Sequence, residues 1–340
     1  MLIGNYLRAL LFPDRGSAMI ARRALIVGAL SMFLMPFARA QQATRVVRVG
    51  LFANTPEPEW GAFRKTLREH GWVEGQNLVL EERWLMGNAQ RAPELAANLV
   101  GLNPDVLVAS SSTQVEALRS LTRTIPIVFL LHADPVGSGH VASLARPGGN
   151  ITGVSQLMTD VSAKMFQVLH EAVPRARRIG VLWNPTTPSH PPALKVIESS
   201  AQQLGLHPLM VGAKAAEDLA AAFATMSRER VEALLVLASP LTFRERGRLA
   251  ELCLAHRLPA IFGFRQNVEA GGLVSYGVDI QDQIARAAVY VDRVLRGAKP
   301  AELPVEQATK FELMINMKTA SALGLTMPQA VLLRADKLIQ

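Results

Sequence analysis

Cysteine is nearly absent: Cys253 is the only one in 340 residues. One thiol cannot close an intrachain disulfide. Its place in the helical run 249–256 suits a small buried residue, because a reactive thiol needs a base and an electropositive setting. The signatures of reactive sites are also missing. There is no Walker A sequence, no G-x-S-x-G and no histidine pair at helical metal spacing. Gly137-Ser138-Gly139-His140-Val141-Ala142 spells G-x-G-x-x-A, but a dinucleotide site wants it after the first strand, with an acidic residue about 20 positions on. Ser155 and Gln156 stand there instead. Glu81-Glu82 has no acidic partner for paired-carboxylate chemistry. For a chain of this size these gaps argue for binding without turnover, with no catalytic residue, metal or cofactor expected.

A strongly basic stripe is lacking too. The formal charge is +8, but half of it lies in residues 1–40, where Arg8, Arg15, Arg22, Arg23 and Arg39 face only Asp14. No Lys/Arg block with interleaved aromatics follows, so no nucleic-acid partner is expected. Residues 19–40 have the parts of a secretion signal: Arg22-Arg23, an apolar middle at 24–35, Pro36, and Ala38-Arg39-Ala40 before a cleavage point. The apolar middle is too short for the ~20-residue span of a membrane anchor. Export to the periplasm with cleavage near Ala40 is expected, and residues 1–18 read as an upstream extension of a signal that starts at Met19.

What the chain does have is regular alternation. Strands are expected at 46–52, 78–84, 105–109, 125–131 and 151–155, separated by helices at 57–70, 88–102, 113–121 and a short one before Arg146. The pattern resumes with strands near 178–183, 207–211, 233–238, 260–263 and 273–276, helices between them, and a long helix capped by Asp279. Such alternation predicts βαβ units and parallel sheets. The fold class is therefore α/β: two Rossmann-like, doubly wound parallel-sheet lobes joined by a short multi-strand hinge. Lobe one is expected over 41–157 with 277–300 packing back on it, and lobe two over 158–276 with 301–340. A monomer is expected.

In open parallel sheets, ligands bind beyond the carboxyl ends of the strands. Those positions hold Asn54, Thr55, Ser111, Ser112, Thr113, His132 and Asp134 in the first half. In the second half they hold Asn184, Thr186, Ser239, Phe262, Tyr276 and Asp279. Hydroxyls and free N–H groups at helix starts suit a small anion such as a carboxylate. Trp60, Trp183, Phe262 and Tyr276 offer apolar walls. For any one residue, an ordinary cap or turn is the competing reading.

Several segments resemble a known family: Thr124–Phe129, Asp134-Pro135-Val136, Ser143–Gly153, Leu303–Gln307, Thr309–Leu313, Ile315-Asn316 and Thr319–Leu325. They are similar to the ABC-transporter substrate-binding proteins of the tryptophan/tyrosine-uptake type, which have a type I periplasmic-binding-protein fold. Thr113 and Ala308 depart from the family pattern, each standing where proline is usual. The resemblance implies two lobes closing on a small solute, an aromatic amino acid or related carboxylate, and delivery to an ABC permease. It also implies that the Asp279 helix returns to lobe one. Two competing roles remain: a sensor feeding a chemoreceptor or histidine kinase, and an exported α/β enzyme using His132 and Asp134. A DNA-binding regulator with similar lobes would need an amino-terminal helix pair where this chain has its secretion signal.

Overall fold

The computed structural model describes residues 45–56, 60–156 and 158–340. The expected secretion signal lies outside these residues, as does the start of the helix expected at 57. The first sheet is built from β1 (Val47–Ala53), β2 (Leu78–Trp84), β3 (Val106–Ala109), β4 (Ile127–His132) and β5 (Ile151–Ser155), joined by a late strand, β11 (Glu306–Gln307). Their spatial order is β11-β5-β4-β3-β1-β2, and all pairings are parallel. Strands such as β3 are buried along their whole length, as expected where helices cover both faces.

The second sheet repeats the design. It contains β6 (Ile179–Trp183), β7 (Leu209–Gly212), β8 (Ala233–Val236), β9 (Ala260–Phe262), β10 (Val274–Val278), β12 (Phe311–Asn316) and β13 (Lys337–Ile339). The order is β13-β12-β10-β9-β8-β6-β7, parallel except where β12 runs against β10. Each sheet thus has one strand order reversal, between β1 and β3 and between β6 and β8. Crevices open at such switch points beyond the strand ends.

The helices read as their spacing predicts. The first, α1 (Trp60–Glu69), buries Trp60, Phe63 and Leu67 on one face. The next two are α2 (Ala92–Gly101) and α3 (Ser112–Arg119), both on the first sheet. In the second half come α4 (Met158–Ala172), α5 (His190–Gln203), α6 (Asp218–Arg228), α7 (Pro240–Arg244), α8 (Arg246–Ala255) and α9 (Arg265–Glu269). After β10 the chain crosses back as α10 (Ile280–Leu295). Asp279 caps it, its Oδ1 accepting from the N–H groups of Gln281 and Asp282 at 3.0 and 3.2 Å. Trp72 Nε1 of the first lobe donates to Asp292 of α10 at 2.8 Å. Short helices α11 (Met317–Ala322) and α12 (Gln329–Leu332) lead to the final strand, β13.

Two expectations need correction. No helix forms between β4 and β5; residues 133–150 are turns and loop. Pro135 removes a donor and Gly139 and Gly148 sit at φ of 65° and 79°, which stops helical propagation. The assignment of all of 301–340 to lobe two also fails, because Glu306–Gln307 pairs with Val154–Ser155 in the first sheet. The chain therefore crosses between sheets three times, after β5, after β10 and after β11. Gly153 is required next to the first crossing: its φ is 149°, and a Cβ there would stand 2.0 Å from the Phe129 carbonyl oxygen.

Candidate functional site

A cavity opens where the two switch points face each other, with about 870 Å³ of empty space including its open mouth. Loops after β1, β3 and β4 supply one side, and loops after β6, β8 and β9 the other. The first crossing, at Gln156 and Met158, and the start of α10, at Ile280 and Ile284, form the floor.

The walls are mostly apolar. Trp60 lies on the first lobe, tilted against Trp84 with ring centroids 6.2 Å apart. Its indole N–H is held by the Thr55 carbonyl at 3.2 Å, which leaves the ring to the cavity. Phe243 and Phe264 meet edge to face across the second lobe, 5.6 Å apart at 86°. Among the described residues lining the cavity there is no Asp, Glu, Lys, Arg or His.

Polar groups concentrate at one end, around the start of α3. Ser110 to Gln114 line the cavity there. The first N–H groups of a helix have no partner within it, and Ser111 does not cap them with its side chain. Its hydroxyl donates instead to Gln114 Oε1. The Nε2 of Gln114, on a residue with no exposure, has no hydrogen-bond partner, and neither does Nδ2 of Asn54. Asn54 is oriented unambiguously, because its Oδ1 accepts from the Gly87 N–H at 3.0 Å. This end of the cavity therefore presents donors to whatever enters.

Of the residues picked from strand ends, Asn54, Thr55, Ser111, Ser112, Thr113 and Ser239 line the cavity. Ser239 is also engaged as a cap, accepting from the Thr242 N–H at 3.2 Å. The others stand elsewhere, each for a local reason. His132 lies fully buried behind Ser112. Asp134 closes its own turn, accepting from Gly137 N–H at 2.8 Å. Asn184 does the same with the N–H and hydroxyl of Thr186, at 2.9 and 2.8 Å, so Thr187 and Ser189 reach the cavity instead. Phe262 is still within β9 and packs in the second-lobe core, whereas Phe264, past the strand end, faces the cleft. Tyr276 stacks on Phe311. Asp279 is spent on its cap and on Lys310 at 2.5 Å. Burial works to raise the Asp279 carboxyl, but the Lys310 and backbone hydrogen bonds hold it below its usual range. Of the suggested aromatic walls only Trp60 lines the cavity.

One histidine that sequence reasoning passed over, His190, shapes the loops of the second half. His190, fully buried, accepts from the Asn184 N–H at 2.9 Å and donates to the Ala238 carbonyl at 3.0 Å. It ties the loop after β6 to the end of β8. Burial pulls its pKa down to about 4. On the first lobe, His132 is pulled down to about 3 by burial and, secondarily, by His140. At the cleft mouth Arg244 Nη1 of α7 donates to the Met86 carbonyl after β2 at 3.0 Å.

Comparison with known proteins agrees with this architecture. The family model for ABC transporter substrate binding proteins matches residues 58–339. A curated tyrosine-binding protein of Clostridioides difficile strain R20291 is 23% identical over 263 residues, 77% of this chain and 75% of that protein. The crystal structure of a conserved domain protein from Vibrio cholerae superposes with a TM-score of 0.81 at 30% identity, covering 86% of this chain and 100% of that one. A Streptococcus pneumoniae ABC domain in complex with L-Trp gives 0.79 at 23% identity, covering 86% and 99%.

Proposed function

This chain belongs to the ABC transporter substrate-binding proteins, with the type I periplasmic-binding-protein fold, and from that premise we propose that its cleft captures an aromatic or large apolar α-amino acid in the periplasm and presents it to a membrane permease. The observation that carries the reading is the division of the cavity into an aromatic wall and a polar end rich in hydrogen-bond donors. Trp60, Phe243 and Phe264 offer faces and edges for a ring. The start of α3, with the unpartnered amides of Asn54 and Gln114, offers donors to a carboxylate, and the helix dipole adds to their attraction. The names of the tyrosine-binding relative and of the tryptophan complex support the same ligand class. The two-lobed fold, hinged at short crossings, supports capture by closure, and the secretion signal read from residues 19–40 supports a periplasmic setting.

Trp60 provides the assay. Intrinsic fluorescence is titrated with the twenty amino acids, purines and small organic acids. Aromatic amino acids are expected to bind at micromolar or tighter dissociation constants with a change in tryptophan emission. Absence of millimolar binding across the amino acids would refute the ligand class.

A further inference from the structure

Behind the donor end of the cleft runs a chain of buried polar groups that ligand contact alone does not require. Ser112 Oγ lies 3.2 Å from Nδ1 of His132. Nε2 of His132 lies 2.6 Å from Nδ1 of His140. Nε2 of His140 lies 2.7 Å from Oε2 of Glu116, a half-exposed carboxylate. The chain thus begins in the cavity wall and ends at the surface.

Its proton positions follow from the ends inward. A carboxylate only accepts, so Nε2 of His140 carries a proton. A neutral His140 then has Nδ1 as acceptor, and Nε2 of His132 must donate to it. A neutral His132 is left with Nδ1 as acceptor, which the Ser112 hydroxyl satisfies. The Ser112 oxygen also accepts from the Ala133 N–H at 3.3 Å. What remains for the cavity is one lone pair.

Adding one proton to the chain reverses this. Ser112 Oγ takes a proton from the cleft side and passes its own to Nδ1 of His132. His132 passes its Nε2 proton to Nδ1 of His140. His140 becomes an imidazolium, donating to His132 and to the Glu116 carboxylate. Ser112 Oγ now accepts from both His132 and Ala133, and its new proton points to the cavity.

We propose that Glu116 and the two histidines set the polarity of the Ser112 hydroxyl, making it an acceptor for a ligand's N–H while His140 is neutral and a donor once His140 is protonated. Among the described residues the cavity wall has no carboxylate to face a ligand's ammonium, and the Ser112 oxygen is an acceptor linked through two buried histidines to the Glu116 carboxylate. The charged and titratable groups around His140 are Glu116 and Arg119 from α3, His132 from β4, and Asp134 in its own turn. Burial lowers the pKa of His140 and Arg119 opposes its charge, while Glu116 pulls the other way. Protonation is therefore expected on the acid side of the ordinary histidine range.

The first test needs no ligand. Nitrogen-15 NMR of the imidazoles in the full chain, assigned with His132→Gln and His140→Gln, reads which nitrogen carries each proton from pH 8 to pH 5. At pH 8 both rings are expected protonated at Nε2. As His140 becomes doubly protonated, the His132 proton is expected at Nδ1. A His132 proton on Nδ1 at pH 8, or one that stays on Nε2 after His140 is charged, would overturn the proposal.

The second test rests on the amino-acid reading above. It compares L-tryptophan and L-tyrosine with their deamino analogues, 3-(indol-3-yl)propionate and 3-(4-hydroxyphenyl)propionate. Preference for the amino acids is expected to fall about tenfold as His140 charges, the scale of one hydrogen bond to a charged group. Glu116→Gln, at a half-exposed position, is expected to move that fall to lower pH, and His140→Gln to abolish it. Profiles identical to wild type in both variants would refute the relay. Failure of all four probes with the imidazole change intact would instead sink the aromatic-ligand reading and leave the relay standing.

Discussion

Mild acid is expected to destabilise this protein through His190. The side chain has no exposure and is fully used as a neutral ring, accepting from Asn184 and donating to Ala238. Its pKa is about 4 in the fold, against about 6.5 in an unfolded chain. The unfolded state therefore binds a proton that the folded state refuses. Stability is full above about 6.5 and is lost as pH falls towards the folded value, by about 1.4 kcal/mol per unit. At pH 5 the loss from His190 is about 2 kcal/mol, and His132, held near 3 by burial, adds a similar amount. Together they remove a large share of the ~5–15 kcal/mol typical of a folded domain. The assay is urea unfolding at pH 7.5, 6.5, 5.75 and 5.0, for the wild type and His190→Gln. Glutamine does not titrate, so the stability gap between the two is expected to shrink by about 2 kcal/mol from pH 7.5 to 5.0. The carboxylates held low, such as Asp279 and Glu116, are common to both proteins and cancel in the difference. Parallel pH profiles would refute the argument that His190 is stored neutral.

Arg244→Ala removes the hydrogen bond from α7 to the Met86 carbonyl across the cleft mouth. Ligand affinity is expected to fall about fivefold, the worth of one net hydrogen bond of ~1 kcal/mol, and small-angle scattering is expected to show a more open average shape; an unchanged affinity would count against a closing role. Gly153→Ala places a Cβ 2.0 Å from the Phe129 carbonyl at a φ of 149°. It is expected to cost about 2 kcal/mol or more in urea unfolding, the scale of forcing a residue into a region open essentially to glycine, and a loss under half of that would refute the steric reading.

The alternation of buried strands and amphipathic helices determined the two doubly wound lobes, because periodicity and turn chemistry are local properties that survive in any tertiary context. The same local logic placed Asn54, Thr55 and Ser111 to Thr113 on one face, since residues at strand ends of a parallel sheet emerge at a shared edge. Local logic could not tell Phe262 from Phe264: both follow an apolar run, and only the point where β9 stops pairing decides which ring packs inward. Nor could it see that Asp134 and Asn184 would spend their oxygens on their own turns, or that Asp279, legible as a helix cap, would also be claimed by Lys310. The pairing of Glu306–Gln307 with β5, the contact of Arg244 with Met86 and the line from Ser112 through His132 and His140 to Glu116 join residues distant in sequence. They exist only because the folded backbone holds those groups within hydrogen-bond reach, a distance that no residue pattern encodes.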